Sequence, residues 1–342
     1  MKKKWLYLMG ISMVLVIIVL GWWPLPDYIE MPGTANNLKS MVQVGQHPNR
    51  NRGSLFMTSV GVAPAHPLTY LWARLDPLVS VDRAQELTGG QSNQTYDQVQ
   101  RFYMKDAVNE AIYTAFQASH RYVHRHYRGV YVVSIMKRSN LYHHLHAGDV
   151  ITRINHRHFN RADDYRKYLA HDRSRMIWLS FRDRHNNVHS IKIRLIRLAD
   201  HRFGLGAILT NNDSIRTRIP VHVHSGQIGG PSAGLMFSLQ IYSQLNSVNL
   251  AKGRKVAGTG TLNSDGRVGE IGGIDKKIIA AKHKGATVFL APYVKPTRSL
   301  LRMEPDHVTN YQLALRTAHR YAPHMKIVPV TSFQTALKDL KQ

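Results

Sequence analysis

The sequence predicts an α+β fold behind an apolar N-terminal helix, and three observations carry that reading. The chain opens with an uncharged run from Trp5 to Trp23. Its middle passes from a β-rich run through a Gly-Asp turn, a second β run and a short helix into a hairpin joined at Asn186-Asn187. Its last third alternates short β runs, glycine-rich turns and helices, the pattern of helices layered on a sheet.

A chain of 342 residues at 43% hydrophobic composition is long enough for two domains with a sizeable core. It has no cysteine, which excludes disulfides, thiol catalysis and cysteine-based zinc sites. Lys plus Arg number 46 against 21 Asp plus Glu, for a net charge of +25, and 20 histidines add to this in acid. Such a surface is expected to meet anionic lipid or an anionic cell-wall polymer. The charge is spread along the chain, not packed into one basic run, so nucleic acid is not an expected partner.

The apolar run follows Met-Lys-Lys-Lys. Its 19 residues, at ~1.5 Å each, match the hydrocarbon core of a bilayer. Tryptophans flank it, and the lysines assign residues 1–4 to the cytoplasm, 5–23 to the membrane and everything beyond Pro26 to the outside. No small-x-small cleavage site follows, so an uncleaved anchor is expected in place of a signal peptide. No G-x-x-x-x-G-K-[ST] occurs, so ATP hydrolysis has no support.

Residues 27–52 are polar and irregular, Gly53–Ala63 reads as a strand, and Asp97–Gln117 is an amphipathic helix. Gly129–Ile135 is β-rich; Leu145–Phe159 contains the Gly148-Asp149 turn; a helix and the hairpin Met176–Ile196 follow. With its Leu-x-x-Gly-Asp-x-Ile-x-x-Ile-Asn stretch, the region 121–199 resembles a PDZ domain. PDZ domains bind extended peptides by adding a strand to a sheet edge. The resemblance implies that Gly129, Val130, Tyr131 and Val132 form the carboxylate loop and binding edge.

In Gly229-Gly230-Pro231-Ser232-Ala233-Gly234 a turn runs into an apolar helix. Ser232 is thereby set beside unpaired backbone N–H groups, which suit an oxyanion. A serine nucleophile needs a base. His222 and His224, in the alternating run Pro220–His224, offer one kind. Lys277, in the helix opened by Gly272-Gly273, offers another. Ile274, Ile278 and Ala281 follow a buried i, i+4, i+7 rhythm, with Lys277 close to that face and Lys276 and Lys284 solvent-ward. The histidines at His120/His124 and His143/His144/His146 read as surface groups, with no metal site and no cofactor expected.

Gly-Pro-Ser-Ala-Gly followed by Gly-Gly-x-x-x-Lys resembles the proteolytic domain of Lon proteases, over about residues 218–292. The resemblance implies a ribosomal protein S5 domain 2-like fold over 203–342, Ser232 as nucleophile and Lys277 as base, 45 residues apart. Thr259 falls on the threonine that holds the lysine, with Gly230 and Pro231 shaping the turn. The family commonly has an acid two residues before the proline; this chain has Gly229. The whole layout is similar to the membrane-anchored, PDZ-containing Lon-like proteases of Gram-positive bacteria. That likeness implies that 27–120 contributes to the protease domain, with the PDZ domain inserted. It also implies an ATP-independent endopeptidase acting on secreted peptides or membrane-protein ectodomains. A non-catalytic PDZ scaffold at the cell surface and a Ser-His hydrolase are the competing readings. The histidine and arginine load further predicts an acidic medium outside the cell.

Overall fold

Strand Val288–Pro292 is buried along its whole length. Its unbroken apolar run requires this, because a strand covered on both faces does not alternate. It lies second in a six-stranded sheet ordered Lys326–Val330, Val288–Pro292, Lys255–Gly258, Ser54–Pro64, Asp27–Asn37 and Ser80–Arg83. The first four strands are parallel; the last two join antiparallel. The computed structural model describes residues 2–50, 52–159, 161–171, 174–199, 201–303 and 307–342. Strand Ser54–Pro64 matches the expected Gly53–Ala63 run to within a residue at each end. It pairs with Lys255–Gly258, so sequence from both ends of the chain shares one sheet.

Side chains alternate across this sheet. Leu55, Met57 and Val256 face one core, where helix Gly234–Leu245 lies buried at every residue. Phe56 and Ala257 face the other, against Ile274 and Ile278 of helix Ile274–His283 and Ala314 of helix Asn310–Tyr321. A long helix, Asn93–Ala118, covers the predicted Asp97–Gln117 and packs on the Gly234–Leu245 side through Met104, Ala111 and Phe116. Ser92 caps it by accepting the Thr95 N–H.

The middle of the chain folds as a second body. Its five-stranded antiparallel sheet is ordered Ala207–Thr217, Val123–Ile135, Val150–Ile154, Met176–Arg182 and Val188–Arg194. Helix Ala162–His171 closes it over a core of Val130, Val132, Ile151, Tyr165 and Leu179. This sheet runs past residue 199. Val123–Ile135 is 13 residues long and its neighbour Val150–Ile154 only 5, so it needs a second long partner. Ala207–Thr217 supplies one and belongs to this sheet, not to the C-terminal layer.

The two bodies meet where Phe102 of the long helix stacks on Tyr131, and again at Arg125. Its guanidinium pairs with both carboxylate oxygens of Glu110, on the long helix, and with Asp213 Oδ2 at 2.5 Å, on the edge strand. Both carboxylates are buried. Helix Lys2–Trp22 stands at the N-terminus with Trp5, Leu8, Ile11, Val14 and Ile18 exposed. Among the described residues no helix is long and apolar enough to cross a membrane. The side chains of Lys2, Lys3, Leu6 and Val16, within that helix, lie outside the description, as does Met1 of the expected tail.

Replacing Arg125 with Met strands two buried carboxylates, and removing one partner of such a network costs about 3 kcal/mol. Urea unfolding followed by circular dichroism should record a loss of this size; an unchanged midpoint would show that Arg125 does not join the bodies.

Candidate active site

The helix that follows Ser232 and the helix that carries Lys277 lie on opposite faces of the sheet. They meet only where strand Lys255–Gly258 stops, at its C-terminal end. Open sheets with helices on both faces place ligand sites at such ends. Thr259 follows directly, fully buried, and its Oγ1 donates to the Ser232 carbonyl at 3.0 Å. Gly260 N–H donates to the same carbonyl at 2.7 Å. These two bonds fix the backbone of Ser232 against the strand end.

Lys277 reaches this point from the far face. Its Nζ donates to Ser232 Oγ at 2.9 Å and to Thr259 Oγ1 at 3.3 Å. The residue is 3% exposed. Burial lowers its pKa from 10.5 to about 8, against an opposing pull from Glu30. An amine with that pKa next to a hydroxyl can accept the hydroxyl proton near neutral pH.

Helix Gly234–Leu245 begins at Gly234 with Ala233 as its cap, so Ser232 stands two residues ahead of it. Pro231 leads into this turn. Gly230 has φ +90°, a conformation other residues rarely adopt, and its N–H donates to Gln100 O at 2.9 Å. The long helix thereby holds the serine loop. Leu235 N–H is taken by Gly260 O at 3.1 Å. Gly273, φ +64°, caps the lysine helix where a Cβ would meet Val60 Cγ1 at 2.6 Å.

A cleft of about 660 Å³ opens beside Ser232. One wall is strand Ser54–Pro64 beyond Met57: Thr58, Ser59, Val60 and Val62. The strand pairs with Lys255–Gly258 only from Ser54 to Met57, so among the described residues its edge past Thr58 has no strand partner on the serine side. The long helix forms the other wall through Tyr96, Asp97, Gln100, Arg101 and Met104. Sequence reasoning did not single out these wall residues; Asp97, Gln100, Arg101 and Met104 read only as part of an amphipathic helix.

Two expectations need correction. Lys276 is not solvent-ward: it is 7% exposed, with Nζ 3.1 Å from Asp275 Oδ2 and 3.6 Å from Glu30 Oε2. Glu30 comes from strand Asp27–Asn37, and no local pattern reveals it. Gly129, Val130, Tyr131 and Val132 are not a binding edge. They pair with Asn212–Leu209 on one side, and Val130 and Tyr131 pair with Ile151 and Val150 on the other. A strand paired on both sides has no free N–H row for a peptide. The edge beside helix Ala162–His171 is Ala207–Thr217, tied to the helix start by Ala162 N–H to Asn211 Oδ1 at 2.8 Å. His222 and His224 are exposed, and the described hydrogen bonds of Ser232 Oγ run to Lys277 instead. Among the described residues no three His, Asp or Glu side chains group to hold a metal ion.

Residues 190–323 match the Lon protease (S16) C-terminal proteolytic domain. That likeness supports a serine peptidase. Among curated relatives, the Lon protease of Mycoplasmopsis agalactiae is 37% identical over 103 residues, covering 29% of this chain and 10% of that protein. The Lon protease of Citrifermentans bemidjiense is 40% identical over 96 residues, covering 28% and 12%. The chain thus spans about a tenth of the length of the relatives it matches. The PDZ domain of the SdrC-like protein from Listeria monocytogenes is similar at 24% identity and TM-score 0.23, covering 25% of this chain and 90% of that one.

A base with a pKa of about 8 must be neutral to act. Peptidase kcat/KM should therefore rise about tenfold per pH unit below that value and level above it. Near pH 7 only about a tenth of the amine is neutral, so this group lends no support to an enzyme tuned for an acidic medium. Thr259→Val removes an acceptor for Nζ and should lower kcat roughly tenfold with KM little changed. An equal fall in Thr259→Ser would contradict the hydroxyl's role.

Proposed function

We propose that this protein is an ATP-independent serine endopeptidase using a Ser232–Lys277 dyad, anchored by its N-terminal helix with the catalytic body outside the cell. The observation that carries the reading is the 2.9 Å contact between a buried lysine amine and Ser232 Oγ at the mouth of a cleft.

A substrate peptide extends along the open edge of Thr58–Val62 as an added strand, which places one carbonyl at Ser232. Neutral Lys277 takes the Ser232 proton as Oγ attacks that carbonyl. Backbone N–H groups of the Ser232–Ala233 turn face the developing oxyanion. The lysine then passes the proton to the departing amine, and water, activated by the same lysine, releases the acyl group. No cofactor takes part. The free edge of Ala207–Thr217 beside helix Ala162–His171 offers substrates a second strand position and so a role in recognition. The substrates are secreted peptides or ectodomains of membrane proteins. The exposed apolar side chains of helix Lys2–Trp22 support the anchor, and the +25 charge supports anionic lipid or wall polymer as surroundings.

The test is proteolysis by the full chain in detergent micelles, without ATP, on a mixture of unfolded proteins, with new termini read by mass spectrometry. Wild type should cleave; Ser232→Ala and Lys277→Ala should not. Cleavage surviving in Lys277→Ala but lost in His222→Ala or His224→Ala would replace the dyad by a Ser-His pair. Absence of cleavage by wild type would favour a scaffold.

A further inference from the structure

Helix Pro67–Leu75 turns four large apolar side chains to solvent: Leu68 at 40% exposed, Leu71 at 62%, Trp72 at 44% and Leu75 at 78%. They recur at i, i+3, i+4 and i+7, one complete helix face. The opposite face is already satisfied. Ala73 is buried against Ile29, Ala65 and Val79. The outward face is therefore apolar without serving the core, which marks an interaction surface.

The position of this helix limits what covers it. Its N-cap, His66, has Nδ1 3.2 Å from Trp23 O, at the end of the N-terminal helix. Leu25 N–H donates to Ala65 O at 2.9 Å, and Ala65 N–H to Asp27 O at 2.9 Å. Helices Lys2–Trp22 and Pro67–Leu75 also touch. The exposed face thus adjoins Trp22 and Trp23, themselves 78% and 64% exposed. Arg74 flanks the Leu71 side of this face, and its Nη2 donates to Tyr70 Oη, one turn back, at 2.9 Å. Aromatic and basic groups bordering an apolar helix face suit the boundary between acyl chains and headgroups.

We infer that helix Pro67–Leu75 lies in the surface of the lipid bilayer, its Leu68-Leu71-Trp72-Leu75 face among the acyl chains, and docks the protease body onto the membrane. The inference rests on the anchor proposed above. It turns a flexible tether into a fixed stand. The strand that walls the cleft ends at Pro64, directly before this helix. Thr58 to Pro64 is six residue steps, about 20 Å of strand. The cleft wall spans Thr58 to Val62 of this strand, so the cleft lies within about 20 Å of the strand end that leads into helix Pro67–Leu75, which favours polypeptide close to the membrane: the stretch of an ectodomain next to its own span, or a peptide leaving the bilayer.

The native chain lacks cysteine, so single cysteines can be spin-labelled cleanly. Leu71→Cys, Leu75→Cys, Val14→Cys and Lys338→Cys would be labelled in the full chain and reconstituted in phosphatidylcholine–phosphatidylglycerol vesicles. Collision with oxygen, which partitions into lipid, and with a water-soluble nickel chelate would be compared. Labels at 71 and 75 should favour oxygen, Val14 more strongly, and Lys338 the chelate. Leu71→Ser/Leu75→Ser should slow cleavage of a vesicle-tethered peptide at least fivefold and leave a soluble peptide within twofold. Labels at 71 and 75 that favour the chelate while Val14 favours oxygen would overturn the docking and leave the anchor. A Val14 label that favours the chelate would overturn both. Labels at 71 and 75 shielded from both reagents would assign the face to a protein partner and overturn the membrane.

Discussion

A lysine amine removed from water, with two hydroxyls as its hydrogen-bond partners, is the constraint around which this molecule is arranged. Burial holds the Lys277 pKa down to about 8. Burial of an amine is costly unless its protons are received, and Ser232 and Thr259 receive them. The helix that follows Ser232 and the helix that carries Lys277 stand on opposite faces of a sheet. Only a strand that ends early lets them meet. Lys255–Gly258 is four residues long and stops with Thr259 between them. The neighbouring strand Ser54–Pro64 runs on and becomes a wall of the cleft. Short strand, long neighbour and buried amine are one design seen from three sides.

What the sequence disclosed follows from how local its signals are. Ser232, Lys277 and Thr259 are picked out by the resemblance of their glycine-marked segments to the Lon proteolytic domain, since spacing alone marks Lys277 only weakly, and the structure brings all three together. Buried strands such as Val288–Pro292 are legible because an unbroken apolar run has few other uses. Lys276 is misread from sequence because its burial depends on Glu30, a partner far away in the chain. The Gly129–Val132 segment is misread because edge or interior is a property of the assembled sheet, decided by Ala207–Thr217 beyond the expected domain limit. Helix Pro67–Leu75 carries a periodicity that any surface helix has; the sequence does not say whether that face turns inward or outward.

The two bodies are joined by an apolar contact, in which Val99 and Phe102 of the long helix pack on Tyr131 and Val133, and by a charged one. Arg125 bridges Glu110 on the long helix and Asp213 on the edge strand. The same long helix lines the cleft through Gln100 and Arg101 and holds Gly230 by a hydrogen bond. A displacement of the middle body therefore acts on an element that supports the serine loop.

The most direct test of the central claim is to titrate Lys277 itself. With methyl-labelled lysines, the full chain followed by NMR from pH 6 to 11 would assign the Lys277 signal by its absence in Lys277→Arg. A midpoint near 8 is expected for this one lysine, well below the roughly 10.4 of a free lysine side chain. A Lys277 midpoint at or above 10 would mean that the amine stays charged beside Ser232, and the dyad chemistry would not stand.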